Sequence, residues 1–323
     1  MANPNYGSIA TTTIESRTRA IADNVTNNNA LLFRLKDKSR KKVVSGGTKI
    51  LQELQYATNS SSGWYSGYDT LTTAPTDVLS AAEFAIKEAY VLVTISGLEM
   101  AQNMGKEQMM DLLDSRISNA ESTIANLIAT GTYSDGTASG GKQIGGLQYL
   151  VPASPATGTV GGINRATYAY WRNQAKGATA DYGAAKSAAN ILRYYGKMFN
   201  TLVRGSDHPD LMVADSNDYG LLTDAFTDRQ IIQDTKLAEA GFVSLKYRGA
   251  DVVLDGGIGG ACPANTTYFL NSSYLFYRPM AGRDMYTLDG DRSAYNQDAM
   301  VKIIGWKGNM TMSGAQFQGI LSA

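Results

Sequence analysis

Hydrophobic and polar positions along the chain change period several times, and each change predicts an element. Residues 1–46 are mostly polar, with Thr11-Thr12-Thr13 and Asn27-Asn28-Asn29 unable to bury much apolar surface. Within this arm Ile14, Ile21, Val25, Leu31, Leu32 and Leu35 predict one or two amphipathic helical pieces whose apolar side needs a partner. Gly46-Gly47 punctuates the chain. Beyond it Thr48, Ile50, Gln52, Leu54 and Tyr56 share one parity and predict a strand. A turn-rich tip follows at Asn59-Ser60-Ser61-Ser62-Gly63, and the aromatic run Trp64, Tyr65 and Tyr68 is the expected return limb. Residues 47–72 therefore predict a long two-stranded hairpin. A lone hairpin is marginal in water, so it must lie on its own domain or on a neighbouring subunit.

From Ala82 to Ile95 the shared parity of Phe84, Ile86, Tyr90 and Leu92 predicts one long strand. The strongest periodic signal is Met109, Met110, Leu113, Ile117, Ala120, Ile124, Leu127 and Ile128, spaced by threes and fours. It predicts a helix over Lys106–Thr130, about 40 Å long at 1.5 Å per residue, with Gly131 at its end. After a Gly/Ser/Thr-rich loop over 131–146 the texture alternates. Tyr182, Ala185, Ala189, Leu192, Tyr195, Phe199 and Leu202 predict a helix over Asp181–Val203. Asp210–Ala214 is a short buried strand, and Asp215-Ser216 caps a helix carrying Tyr219, Leu222 and Phe226. Strands are expected at Val243–Tyr247, Asp251–Leu254, Tyr268–Leu270 and Tyr274–Tyr277. The last, Met300–Met312, places Ile304, Trp306, Met310 and Met312 on one side. The fold class is α+β, with no internal repeat.

Composition narrows the function classes. The chain has 323 residues, 43% hydrophobic and 18% charged, an ordinary globular balance. No apolar run is long enough to cross a membrane, and Met1–Tyr6 lacks the charged and apolar regions of a secretory signal. Cys262 is the single cysteine, so no intrachain disulfide can form, which suits a reducing compartment. Lys+Arg and Asp+Glu are both 29, a formal net charge of zero. That lacks the basic excess of a dedicated nucleic-acid binder, and copies of a neutral chain repel one another little. The run Lys36-Asp37-Lys38-Ser39-Arg40-Lys41-Lys42 reads as a solvated or interface-facing segment rather than a nucleic-acid patch.

Catalytic and cofactor motifs fail at the position that matters. Gly136–Gln143 fits a phosphate loop until Gln143, where magnesium binding needs Ser or Thr, and it follows a helix instead of a strand. Gly256-Gly257-Ile258-Gly259 has Cys262 where a dinucleotide fingerprint needs its third glycine, and Pro263 breaks any receiving helix. Asp289-Gly290-Asp291 opens like a calcium loop, but Ala294 replaces the required glycine. His208 is the only histidine and sits in a turn-like Gly205–Pro209. One His and one Cys cannot build a zinc site without carboxylates. The expectation is no catalytic residue, no cofactor and no metal: a structural protein.

Several phrases in fixed order carry a family likeness. They are Ile21-Ala-Asp-Asn-Val25 with Asn28–Leu32, then Gly161-Gly-Ile-Asn-Arg-Ala-Thr-Tyr168 with Trp171-Arg-Asn173. Val213-Ala-Asp215 with Tyr219, Val252–Asp255, Tyr268–Asn271 and Trp306-Lys-Gly-Asn-Met-Thr311 with Gln316 and Gln318-Gly319 follow. Together with the order of elements, they make the chain resemble the HK97-type major capsid proteins of tailed bacteriophages, along essentially its whole length. The resemblance implies an N-terminal arm at 1–46 and an extended E-loop at 47–77. It implies a peripheral domain with a long spine helix at 78–147 and 275–323, and an axial domain at 148–274. It further implies self-assembly into pentamers and hexamers that form an icosahedral shell around packaged double-stranded DNA. Expected partners are other copies of the chain, a scaffolding protein that is not fused to it, a portal, a decoration protein in some relatives, and weak non-specific contact with DNA. The expected location is the virion, after assembly in the bacterial cytoplasm. The residues expected at subunit interfaces are Lys49, Leu51, Leu54, Tyr56, Trp64, Tyr65, Tyr68 and Trp306, with core packing an equal alternative for Trp306. An encapsulin-type compartment shell or a tail-tube or ring protein is the alternative reading.

Overall fold

The computed structural model describes residues 29–74, 76–102, 106–226, 244–255, 260–288, 292–293 and 298–323. The expected helical pieces around Ile14, Ile21 and Val25, the Gly256–Gly259 turn and the Asp289–Asp291 turn lie outside them. The first described element is helix α1, Ala30–Asp37. The Asn29 side chain caps it, accepting from the Leu31 and Leu32 amides at 3.0 and 3.2 Å. Leu31, Leu32 and Leu35 are buried as their spacing predicts. Arg34 points the other way, 3.4 Å from Asp210 and 3.3 Å from Asp251.

The hairpin is present, but its return limb is not the aromatic run. Strand β1 (Lys49–Gln55) pairs antiparallel with β2 (Leu79–Ala85), from Lys49↔Ala85 to Gln55↔Leu79. Ile50, Gln52, Leu54, Ala82 and Phe84 form its buried side, and the other side is open. Trp64, Tyr65 and Tyr68 belong to the tip instead. The reason is local: Gly63 precedes that run and Gly67 interrupts it, whereas 79–85 offers the alternation β1 needs.

The expected single strand over Ala82–Ile95 is two strands. Strand β3, Lys87–Ser96, begins after Ile86 and pairs with a different partner. Buried parity flips across Ile86, from Ala82 and Phe84 to Val93 and Ile95. Tyr90 and Leu92, expected inward, are therefore exposed.

Helix α2 (Gly97–Gln102) leads into α3 (Lys106–Gly131), the long helix that the periodicity predicts. Its buried row is Ile117, Ala120, Ile124 and Ile128, while Leu127 is 46% exposed. A small ribbon, β4 (Thr159–Val160) with β5 (Ile163–Asn164), precedes β6 (Gln174–Gly177).

The helix expected over Asp181–Val203 divides into α4 (Ala178–Tyr182) and α5 (Ile191–Leu202). Gly183, left-handed at φ 82°, ends the first. Between them Lys186 is drawn into the fold, its ammonium 2.5 Å from Asp218, 2.8 Å from the Asn265 carbonyl and 3.1 Å from the Leu321 carbonyl. A continuous helix would have to give up that anchor. Asp218 also accepts from the Thr267 hydroxyl at 2.7 Å, which shares a 2.7 Å hydrogen bond with Tyr195.

Strand β7 (Leu211–Ala214) and helix α6 (Ser216–Phe226) follow as expected, with the Asn217 amide donating to Asp215 at 3.3 Å. Strands β8 (Ser244–Tyr247), β9 (Ala250–Leu254), β10 (Thr267–Leu270) and β11 (Leu275–Pro279) agree with the sequence reading to within two residues. The short β12 (Tyr286–Thr287) and β13 (Arg292–Ser293) precede β14 (Ala299–Met312), and β15 (Gly319–Ser322) ends the chain's described strands.

Two sheets organise these strands. In the first, β14 pairs with β3 from Lys87↔Gly308 to Ser96↔Ala299, and with β11, β12 and β13. Ile304, Trp306, Met310 and Met312 are fully buried on one side of β14. The second sheet has the order β6-β15-β10-β7-β9-β8 and is mixed, with β7 parallel to β9 and β6 parallel to β15. Both its faces are covered. Leu211, Val213, Val253, Tyr268 and Leu270 pack into the larger core, while Met212, Val252, Phe269 and Leu321 pack with α5 into a second. Two-sided burial explains why these strands read as continuous apolar runs without alternation. The strand β15 lies between β6 and β10, so residues 319–322 join the second sheet and not the unit to which 275–323 was assigned.

The Lys186–Asp218 pair, with side chains 5% and 1% exposed, generates a prediction. Lys186→Met strands a buried carboxylate and costs about 3–5 kcal/mol of unfolding free energy in urea titration. Adding Asp218→Leu to that variant restores most of the loss.

Candidate assembly surfaces

The hairpin is held firmly at its root. Ala82 and Phe84 pack on Gly161, where an added Cβ would meet them at 2.8 and 3.0 Å and where φ is +58°. A side chain there would both clash and strain the backbone. The Glu83 amide donates to the Gly161 carbonyl at 2.8 Å, and the Tyr149 hydroxyl accepts from the Gly161 amide at 3.2 Å. On the sheet side, Arg278 donates to the Gln52 side chain at 2.6 Å, and Asn309 donates to the Ala85 carbonyl at 2.7 Å. Tyr56 stacks on Tyr170 with ring centres 5.0 Å apart.

The residues that receive the root are themselves fixed by a buried cation. Arg165 is fully buried and donates to the Leu150 carbonyl and, at 3.2 Å, to Asn173. Burial pulls its pKa down to about 10. Trp171 donates to the Val160 carbonyl at 2.9 Å and Arg172 to the Arg165 carbonyl at 2.6 Å. The Gly161–Asn173 phrase in the sequence is thus the socket of the hairpin.

The tip has no core of its own. Trp64 and Tyr68 are fully exposed, Tyr65 is 69% exposed and Leu71 60%. What shapes it is polar: Asn59 accepts from the Ser61 amide at 2.9 Å, Ser61 donates to the Ala74 carbonyl at 2.7 Å, and Asp69 accepts from the Ser66 amide at 2.8 Å.

The expected interface residues separate into three groups. Trp64, Tyr65, Tyr68 and Leu51 are free to meet another chain, and Lys49 is exposed beside Glu83 at 2.5 Å. Tyr56 is half-buried on Tyr170. Leu54 and Trp306 are core residues, 3% and 0% exposed, with Trp306 stacked on Tyr277 at 5.7 Å. Leu54 sits at the buried parity of β1, and Trp306 lies under the sheet, so both side chains are spent on the subunit's own core.

The chemistry-bearing residues are scattered. Ser139 and Gly140, in the Gly136–Gln143 stretch, are left-handed, which no helix N-terminus allows. His208 is exposed and bonded to the Pro209 carbonyl at 2.9 Å, while Asp207 is taken by Asn271 and Tyr274. Cys262 is buried, which pushes its thiol pKa up and away from reactivity. Among the described residues no group of three His, Cys, Asp or Glu could hold a metal ion.

Sequence comparison finds nothing: no protein-family model matches the chain, and no curated protein matches it. Structural comparison is decisive for the fold. The subunit in the cyanophage A-1(L) capsid asymmetric unit is similar at a TM-score of 0.62 and 16% identity, over 88% of this chain and 90% of that one. This chain has the HK97-type capsid fold. A capsid of an empty GTA particle is similar over 88% and 89% of the two chains, at a TM-score of 0.55 and 15% identity. The satellite phage P4 procapsid, a structure that includes a size determination protein, matches over 94% and 90% at 0.52 and 11%.

Burial separates the two tryptophans in a direct test. Trp306→Ala lowers stability by about 3–5 kcal/mol in urea unfolding, whereas Trp64→Ala leaves the unassembled subunit within about 0.5 kcal/mol of the parent.

Proposed function

We propose that this chain is the major capsid protein of a tailed bacteriophage, a structural subunit that forms pentamers and hexamers and closes into an icosahedral shell around packaged double-stranded DNA. The observation that carries the reading is an HK97-type body bearing a hairpin whose tip buries nothing on its own subunit. Clustered exposed aromatic residues of that kind mark a surface that another chain covers. The chain then acts at the level of the virion, after assembly in the bacterial cytoplasm. Residues 1–46 form the arm, 49–85 the E-loop, the β14 sheet with α3 the peripheral domain, and the six-stranded sheet the axial domain.

Partners follow from the same reading: other copies of the chain, a scaffolding protein, a portal and, where the shell needs reinforcement, a decoration protein. Contact with packaged DNA is weak and salt-dependent, because a neutral subunit offers few phosphate contacts. The role is structural and not catalytic. No observation on this chain favours the compartment-shell or tail-tube reading.

Negative-stain electron microscopy of the protein made in bacteria, alone and with its scaffolding protein, tests this directly. Closed shells, or rings of five and six, are expected, and a monomer under every condition contradicts the reading. The Tyr56 amide donates to the Val78 carbonyl at 3.1 Å, so residues 57–77 can be replaced by Asn-Gly to close a tight turn. That variant is expected to fold and to form no closed shell.

A further inference from the structure

Helix α5 carries a second row of residues besides its buried one. Tyr194, Tyr195, Met198, Phe199 and Leu202 are buried, while Arg193, Lys197 and Asn200 are exposed at spacings of four and three along one side. From residue 182 to residue 206 the chain has no Asp or Glu. Each cation of the row rests against an aromatic ring. Arg193 lies 5.4 Å over Tyr194, and Lys197 lies 5.0 Å over Tyr182. The β8–β9 turn adds a third cation. Arg248 reaches onto the helix, 6.0 Å over Phe199 and 5.6 Å over Tyr247, and donates to the Asn200 side chain at 2.7 Å.

Two costly local features are explained by that reach. Gly196 sits inside the helix, where glycine is unfavourable, and a Cβ there would meet the Tyr247 hydroxyl at 3.2 Å and the Arg248 Nη2 at 3.3 Å. Arg248 is itself left-handed at φ 50°, ahead of Gly249 at φ 86°. A turn of that kind favours Asn or Asp before its glycine, so the arginine is held there against backbone preference. Among the described residues no carboxylate pairs with Arg193, Lys197 or Arg248. Of the acids on adjoining elements, Asp181 is taken by Lys176 and the Gly177 amide, Asp218 by Lys186 and Asp251 by Arg34, while Asp224 is exposed on α6. Arg204, past the helix end, bonds the Asp207 backbone and stands outside the row.

Like charges held in a row and left unneutralised fit a partner with a run of negative charge. The exposed positions among them carry no large apolar side chain, so the face lacks the apolar centre of a protein–protein contact. The rings of Tyr194, Phe199 and Tyr247 are buried beneath the cations, out of reach of stacking bases. We propose that this face of α5, with Arg248, binds the phosphate backbone of double-stranded DNA and reads no sequence. The proposal rests on the capsid reading for the identity of the polymer, the packaged DNA, and names the surface that makes the contact. The two guanidinium groups take phosphate oxygens in pairs, and Lys197 adds a point charge. The chain's zero net charge conceals the site, because its acids lie elsewhere.

Fluorescence anisotropy of a labelled duplex of mixed sequence, titrated with the full chain over a range of salt, tests it. Each neutralised phosphate contributes about 0.9 to the fall of log affinity with log salt, so three contacts give the parent a slope of about −3. The variant Arg193→Gln, Lys197→Gln, Arg248→Asn, whose Asn suits the left-handed turn, is expected to lose nearly all of that slope. It should also bind at least about tenfold more weakly at about 50 mM salt, with assembly in sedimentation velocity unchanged. Should that variant melt earlier than the parent, Arg193→Gln with Lys197→Gln, both at exposed helix positions, is expected to make the slope shallower by about 2. A parent that does not bind the duplex, or a folded variant that keeps the parent's slope, overturns the proposal. So does tighter binding to a single strand of the same length, which means stacking and not backbone contact. A variant that keeps DNA binding and loses assembly makes the face a subunit contact, and the proposal is then wrong. None of these results touches the capsid reading, which electron microscopy of the shells decides.

Discussion

The strand Ala299–Met312 cannot be displaced without losing most of the five-stranded sheet, because β3 pairs along one part of it and β11 along another, and the short β12 and β13 also pair with it. Its buried side, Ile304, Trp306, Met310 and Met312, anchors the larger core. On its other side Asn309 holds both the Ala85 carbonyl and the Gly145 amide, so the root of the hairpin and the loop after α3 share one side chain. Arg278, on the neighbouring β11, adds a second tie through Gln52. The platform fixes where the hairpin leaves the body.

From that fixed root the physics changes sign along the hairpin. Near the body every buried position finds a partner, through Gly161, Phe84 and the Arg165 socket. Beyond Tyr56 and Val78 the chain keeps its shape with serine, asparagine and aspartate hydrogen bonds and buries no apolar surface. A tip built this way is satisfied in water as backbone but not as side chains.

How much of this was legible in the sequence depends on how local the cause is. Helix α3 was readable because its apolar row recurs by threes and fours over many turns, and β14 because four buried residues share a parity. The order of elements was enough to suggest the fold. The return limb of the hairpin was misread because aromatic content at Trp64–Tyr68 resembles a strand, while the residues that pair, Leu79–Ala85, look like the start of the next one. Only the change of partner at Ile86 separates them. Trp306 was ambiguous for the same reason: nothing nearby in sequence says that Tyr277 lies against it. The Arg165 socket joins residues far apart in the chain, so no window of sequence contains it.

The central claim is that the hairpin tip is unfinished in the free subunit and completed by a neighbour. Hydrogen–deuterium exchange followed by mass spectrometry, on dissociated subunits and on assembled particles of the same preparation, tests it most directly. The account predicts that amides of residues 56–78 exchange nearly unprotected in the free subunit and become strongly protected on assembly, while β14 and α3 are protected in both. A tip already protected in the free subunit, or one still unprotected in closed particles, would contradict it.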